Sequence, residues 1–198
     1  NYSLLLSKYS NSDSDKAAKI AYKKLGLIYK KHCFLTRGSD ERQFNSPHID
    51  LGLASIMRSK YNTYKEYHSS LDNFNLVTQE GLVGGYKVVK EAIHNLMQKK
   101  FKKVKKVINK NYPISKYICE PQLGKRGLYP SISIVSYKDK DSHLNKDKKM
   151  KLSTNILNFL QYADGSNSLK EIAKHINLSL IESKFIYKIC KKNKLLNK

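Results

Sequence analysis

Hydrophobic residues in the first part of the chain form short runs that alternate with a helical pattern. The apolar run Tyr2–Leu6 predicts a strand, and residues 29–35 predict a second one. Between them, Ser12 can cap a helix whose apolar residues recur at helical spacing until Gly26. The order strand, helix, strand is typical of an α/β sheet with helices packed on it.

The second predicted strand leads into a polar loop over residues 36–48, where a glycine and a proline oppose regular structure. Residues 51–57 predict a further strand, and residues 63–67 a short extended piece. Thr78 can cap a long helix with an apolar stripe. Ligands of α/β sheets usually bind at loops beyond the strand ends, and the polar loop lies at such a position.

The centre of the chain changes character. Residues 98–110 form a lysine-rich bridge, and residues 111–137 carry three of the four prolines and two glycines, which excludes one regular element. Residues 138–149 are almost wholly charged or polar and predict an exposed linker. We therefore divide the chain into a domain at 1–110, an irregular strap and linker at 111–149, and a second domain at 150–198.

The last fifty residues predict three short helices. Apolar residues between 152 and 160 share one helical face, and Asp164-Gly165 makes a turn. Ser168 with Glu171 forms a capping box for a second helix, and residues 177–179 turn the chain into a third. This arrangement indicates a helix-turn-helix or winged-helix module.

The charge of the chain allows two interpretations. The net charge is +22 over 198 residues, which is typical of proteins that bind nucleic acid. However, arginine, the usual residue for bidentate phosphate contacts, occurs only at Arg37, Arg42, Arg58 and Arg126. The scattered lysines, found with much asparagine and isoleucine, also fit compositional drift of an AT-rich coding sequence. Weak, salt-sensitive, nonspecific binding is expected in either case.

Two further observations concern the location of the protein. No apolar run approaches the length of a membrane-spanning helix, and no secretory signal pattern follows Asn1. The three cysteines, Cys33, Cys119 and Cys190, are far apart and have no metal-ligand spacing, so free thiols are expected. These features favour a reducing cytoplasm and no membrane partner.

Candidate chemistry is concentrated in the polar loop and in a histidine that follows it. Asp40 and Glu41 could bind a metal directly, accept a hydrogen bond from a residue that binds the metal, or bind the amine of a substrate. Alternatively, they form a salt-bridge cluster with Arg37 and Arg42 that fixes the loop. His68 is either a metal ligand or a surface histidine.

A candidate acceptor for the second ring nitrogen of a metal-bound His68 lies four residues further on. Asp72 is close enough in sequence to accept that hydrogen bond. Further along, two glycines flank Lys125 and Arg126, so backbone and basic side chains could hold an anion such as a carboxylate. The alternative for this segment is an irregular strap with Arg126 paired to an acid. Motifs of nucleotide-binding, zincin and serine-hydrolase sites are absent from the sequence.

The chain resembles the C-terminal part of bacterial aminopeptidase-like proteins with the DUF4910 domain, relatives of the M28 zinc aminopeptidases that often accompany polysaccharide biosynthesis genes. The resemblance covers nearly the whole chain and rests on motifs at residues 34–44, 46–47, 49–50, 55–59, 64, 66–72, 119–130, 162–165, 168–169 and 171–173. It implies a partial phosphorylase/hydrolase-like α/β/α sandwich followed by a winged helix.

The resemblance also implies a chemistry. Two zinc ions would activate a water that attacks a peptide carbonyl, with a glutamate as general base. The family's His/Asp metal motif and glutamate base lie upstream of the matched segments, so no catalytic residue is predicted in this chain. His68 alone matches a metal ligand, and Asp40 and Glu41 match a loop near the site. His48 replaces a family glycine, and it would strain the loop if that position needs a positive φ.

Three hypotheses follow. The first is the C-terminal fragment of a zinc aminopeptidase-like protein that acts on a peptide or aminoacyl substrate and is inactive alone. The second is a winged-helix protein that binds nucleic acid. The third is a fragment without activity that complements a separately encoded N-terminal half.

Overall fold

A computed structural model of the chain describes residues 1–98, 106–129 and 140–197. These residues form two compact units. The first unit contains residues 1–45 and 50–98, and the second contains residues 46–49 and those from 106 onward. The second unit is therefore discontinuous in sequence, because it includes four residues of the polar loop.

The first unit contains a three-stranded sheet in the order β2-β1-β3. Strand β1 (Ser3–Leu5) pairs in parallel with β2 (Lys30–His32), with Leu4 opposite Lys31. It pairs antiparallel with β3 (Ser55–Met57), with Leu4 opposite Ile56. The mixed α/β class predicted from the sequence is confirmed.

Two long helices cover one face of this sheet. Helix α1 (Asp13–Lys24) begins at Ser12, whose side chain forms a capping box with Asp15, and ends before Gly26. A one-turn helix, α2 (Glu41–Phe44), lies in the polar loop, and α3 (Gln79–Gln98) follows Thr78. Buried residues of the two long helices pack together with Leu4 of β1; they are Ala18, Ala21, Tyr22, Val88 and Ala92.

Several predictions for the first unit need correction. The strand predicted at 29–35 ends at His32, because Phe34–Thr36 turns into a 3-10 helix. Helix α2 lies in the segment predicted to be irregular, and only residues 55–57 of the third predicted strand pair with β1. Residues 63–67 form turns rather than an extended piece, with Thr63 N–H donating to the Lys60 carbonyl.

The described residues of the second unit form three α-helices and a small set of paired segments. They are α4 (Lys140–Tyr162), α5 (Leu169–His175) and α6 (Leu180–Lys192). Ser115 lies in an extended segment that pairs with Asp164 on one side and Leu196 on the other, through single bridges. Buried side chains from the helices and from Leu123 form the core. The winged-helix end predicted from the sequence is confirmed.

The capping box predicted at Ser168 is confirmed, because Ser168 pairs with Glu171 at the start of α5. Ser179, predicted only to lie in a turn, forms a second capping box with Glu182 at the start of α6. Residues 140–149, part of the segment predicted as a linker, are helical and belong to α4. Residues 130–139 lie outside the described part, as do residues 99–105 of the lysine-rich bridge. Within the described ranges, no helix has an apolar stretch long enough to cross a bilayer.

Candidate functional site

The carboxylate of Glu41 is the centre of the polar loop. It is only 2% exposed, and its Oε1 accepts hydrogen bonds from the N–H groups of Gly38 (2.9 Å) and Ser39 (3.1 Å). The Tyr61 hydroxyl donates a hydrogen bond to the same oxygen. A Cβ at position 38 would lie 2.9 Å from the Tyr61 ring, so glycine allows this close approach. Glu41 therefore fixes the loop through backbone amides and a tyrosine.

Hydrogen bonding controls the ionisation of this pair. Burial acts to raise the pKa of Glu41, but the hydrogen bonds from Tyr61, Gly38 and Ser39 outweigh it and hold the pKa below its ordinary value. Burial and the bond to Glu41 raise the pKa of Tyr61 well above the ordinary phenol value. At neutral pH, Glu41 is therefore a carboxylate and Tyr61 a neutral donor.

A cluster of tyrosines connects Glu41 with His68. The Tyr61 ring lies 6.4 Å from that of Tyr67, measured between centroids, and the Tyr64 ring contacts Tyr67 edge-on at 5.7 Å. Tyr67 stacks on His68 at 3.9 Å, with 17° between the ring planes. The loop acid and the predicted metal ligand thus lie at two ends of one aromatic array.

The backbone at His68 is unusual. Its φ is +58°, in the left-handed region that residues other than glycine adopt infrequently. Such conformations are often found at functional sites, where the surrounding structure maintains them. The side chain is exposed, so its ring is accessible on the side away from Tyr67.

Asp72, predicted to support His68, lies beside a cavity. The cavity has a volume of about 460 Å³ and is also lined by Arg58, Tyr64 and Thr78. Burial raises the pKa of Tyr64, and the negative charge of Asp72 adds to the effect. The ring contact of His68 is with Tyr67, and in the described residues no hydrogen bond joins its ring to Asp72.

Arg58 joins the start of β1 to the start of α3 next to this cavity. Its guanidinium donates to the carbonyls of Asn1 (2.7 Å) and Gly81 (3.1 Å) and lies 4.1 Å from the Tyr2 ring centroid. A Cβ at Gly84 would lie 2.3 Å from an Arg58 nitrogen, so only glycine fits there without rearrangement.

The other charged residues of the loop differ in environment. Asp40 and Arg42 are exposed, and Asp40 does not cap α2 with its side chain. Arg37 is half-buried, with its guanidinium 4.8 Å from the Phe34 ring centroid. The hydrogen bonds of Glu41 go to Tyr61, to Ser55 and to backbone amides rather than to arginine. Asp40 remains accessible to a ligand.

A buried lysine lies near this cluster and was not singled out from the sequence. Burial lowers the pKa of Lys60, although the charge of Glu41 acts in the opposite direction. The pKa of His32 is also lowered, first by burial and then by the charges of Lys60 and Lys30. His32 is therefore uncharged at neutral pH. One local signal for this site is present in the sequence, namely the tyrosines at 61, 64 and 67 beside Lys60.

The strap of the second unit uses its arginine internally. Residues 124–126 form a 3-10 turn that ends at Gly127, with φ +63°. Arg126 donates to the Gln122 carbonyl at 2.8 Å and to the Tyr117 hydroxyl, and its guanidinium lies 4.7 Å from the Tyr117 ring centroid. Lys125 is exposed. An anion would therefore meet Lys125 first.

Two results concern metal binding and His48. Among the described residues, no three His, Cys, Asp or Glu side chains come together in a group that could hold a metal ion. A single imidazole, such as that of His68, would be one donor, so the described residues by themselves do not fit a zinc centre. His48 does not have a positive φ, and its Nε2 lies 2.6 Å from the Ser115 carbonyl oxygen. The strain considered for this position is therefore not present.

The fold and the site define a class of protein: an α/β unit with an acid–tyrosine–histidine array on its loops, joined to a winged helix. Residues 1–99 match the family described as a domain of unknown function, DUF4910. The chain belongs to this family, as its motifs predicted. Residues 111–198 match a family described as winged helix-turn-helix.

Two matches from Clostridium acetobutylicum, one protein sequence and one solved structure, are similar to the chain. One is named "Putative polysaccharide biosynthesis protein with aminopeptidase-like domain" and is 34% identical over 166 residues, which are 84% of this chain and 33% of that protein. The other is a crystal structure of a "putative peptidase", 28% identical, with a TM-score of 0.46, covering 99% of this chain and 38% of that one. The chain thus spans about a third of the length of the curated relative.

Proposed function

We propose that the chain is the C-terminal part of a zinc-dependent aminopeptidase-like hydrolase, which cleaves a peptide or another amide in surface polysaccharide biosynthesis. The observation that carries this proposal is the 34% identity, over 84% of the chain, to a relative named for both properties. Because the chain spans only 33% of that relative, the activity belongs in this proposal to the longer protein.

Within this proposal, His68 is the residue that donates to zinc. Its accessible ring, its left-handed backbone and its stacking on Tyr67 support the assignment. Further donors would come from outside the described residues, since these do not form a metal centre alone. Asp40, exposed beside the fixed carboxylate of Glu41, is the residue proposed to attract a substrate amine.

The remaining residues would shape the site. Glu41 and Tyr61 would fix the loop that carries Asp40, Arg37 and Arg42, while Asp72 would border the substrate cavity. Residues 1–198 alone are then expected to bind zinc weakly and to cleave no aminoacyl substrate, because one imidazole is a poor zinc site.

A chimera tests this function. The chain replaces the matched 166-residue region of the Clostridium relative, and hydrolysis of aminoacyl p-nitroanilides is measured with zinc. We expect the chimera to hydrolyse the substrate and residues 1–198 alone not to do so. In the chimera, His68→Ala should lower the rate of hydrolysis by about 100-fold or more, because losing a metal ligand is at least as severe as losing the group that supports one. His94→Ala, at an exposed histidine of α3, is the matched control. Robust hydrolysis by residues 1–198 that survives His68→Ala would contradict the proposal.

A second candidate function, nucleic-acid binding by the winged helix, is supported by the surface of α6. Lys184, Lys188, Lys191 and Lys192 are exposed there, in a chain of net charge +22. Ile181 and Phe185 are exposed on the same helix, and they offer no hydrogen bonds to base edges. Retention of one DNA sequence over others at 150 mM salt supports this function, whereas binding that disappears with modest salt and ignores sequence refutes it.

A further inference from the structure

Helix α3 has a second apolar side that faces solvent. One side, with Val88 and Ala92, packs against α1 and the sheet. The other side carries five exposed apolar residues, which we call the α3 seam: Leu82, Tyr86, Val89, Ile93 and Leu96. Helices of soluble domains usually bury one apolar stripe and expose polar residues opposite to it. An additional apolar stripe indicates an additional packing partner.

The spacing of the α3 seam is that of a helix-packing surface. Its residues are separated by four, three, four and three positions, which keeps them on one line along the helix. Leu82 is 65% exposed, Tyr86 64% and Ile93 51%. Scattered single apolar residues are normal on protein surfaces, but a continuous row over four turns marks an interaction site.

The position of α3 in the first unit indicates where its partner would lie. α3 contacts both α1 and β3. β3 is an edge strand, and in the described residues it pairs only with β1. In a layered α/β fold, the next strand would pair with β3, and its helix would pack beside α3. The partner would therefore extend both the sheet, at β3, and the helix layer, beside α3.

We propose that the α3 seam is the docking surface for an amphipathic helix from the remaining part of the aminopeptidase-like protein, whether that part is joined to this chain or made separately. This inference rests on the proposed function for the existence of that part, since the chain spans 33% of the curated relative.

Charge favours this partner over a second copy of the chain. Lys90 is exposed beside the α3 seam, and its ammonium lies 5.9 Å from the centroid of the Tyr86 ring. Two copies, each of net charge +22, would place these ammonium groups in mutual repulsion. A helix with apolar residues at four–three spacing and acidic residues along one rim complements both features of the surface.

Site-specific photocrosslinking in the cells that make the protein tests the inference. p-Benzoylphenylalanine replaces Ile93 in the α3 seam or, as control, Lys87 on the polar side, and crosslinked peptides are identified by mass spectrometry. We expect position 93, and not 87, to crosslink to a helical segment of an aminopeptidase-like sequence outside residues 1–198. Crosslinks to residues 106–197, to a second copy or to an unrelated protein would overturn the inference, as would a yield at 93 no higher than at 87.

A stability measurement adds a separate check. If the partner lies outside the chain, Tyr86→Glu with Ile93→Glu, at two of the more exposed positions of the seam, leaves the urea midpoint of residues 1–198 unchanged within error, and a clear fall shows that the seam is buried inside the chain. The chimera assay separates the two proposals. Crosslinking at 93 without hydrolysis rejects the catalytic function alone, and hydrolysis that the same double substitution leaves unchanged rejects the docking surface alone.

Discussion

Replacing Tyr61 with phenylalanine tests how the polar loop is held. The substitution removes the hydroxyl that donates to Glu41 and leaves the carboxylate with the amides of Gly38 and Ser39. A hydrogen bond to a charged group contributes about 1.5–3 kcal/mol, and the acceptor here is buried. We expect the unfolding free energy of the first unit to fall by about 2 kcal/mol. If that free energy depends on urea concentration with a slope of about 2 kcal/mol/M, the urea midpoint falls by about 1 M.

The pH dependence gives the same prediction a second readout. The pKa of Glu41 is lowered in the folded state, so its contribution to stability is present above the unfolded pKa and is lost as pH falls through the folded value. Tyr61 supplies part of that lowering. The difference between wild type and Tyr61→Phe is therefore expected at pH 7 and should shrink below about pH 4.

Urea unfolding followed by hydrogen exchange at Leu4 and Leu5 measures the first unit separately from the second. Tyr64→Phe is the matched control, because in the described residues the Tyr64 hydroxyl donates no hydrogen bond to a carboxylate. We expect its effect to stay within about 0.5 kcal/mol. Equal urea midpoints for Tyr61→Phe and wild type at pH 7 would refute the reasoning.

Three further predictions concern the second unit. Asp164 accepts a hydrogen bond from Lys106 at 2.8 Å, and its hydrogen bonds outweigh burial and lower its pKa to about 2. The unfolding free energy of this unit should therefore fall by about 2 kcal/mol as the pH falls from 5 to 2. Asp164→Asn should abolish that pH dependence. Burial raises the pKa of Cys190 to about 12, so a thiol reagent at pH 8 should modify exposed Cys33 and leave Cys190 intact until the unit unfolds. Ser168→Ala should cost about 1 kcal/mol in urea unfolding, and an unchanged midpoint would contradict the capping role.

The features predicted correctly from the sequence depend on neighbouring residues. The caps of α1 and α5 join residues three positions apart, so a serine followed by an acid was sufficient to place them. Strand β1 was predictable because its short apolar run is fully buried. The motif at residues 34–44 also located the polar loop and, with residues 66–72, the family.

The features that were missed depend on distant contacts or on weak local signals. Glu41 and Tyr61 are twenty positions apart, and nothing local indicates that the phenol rather than an arginine reaches the carboxylate. Residues 140–149 were predicted as a linker from their charge, although lysine has a good helix propensity and no proline or glycine interrupts the segment. The role of His68 stays a prediction, because no group of three possible metal ligands occurs among the described residues.

The discontinuity of the second unit has an evolutionary consequence. Its tetrapeptide at residues 46–49 lies inside the sequence of the first unit, and His48 contacts Ser115 within the second unit. A single recombination event near residue 105 would transfer the winged helix without this tetrapeptide. The two units are therefore expected to be inherited together, and a substitution at position 48 should be accompanied in related genes by changes around position 115.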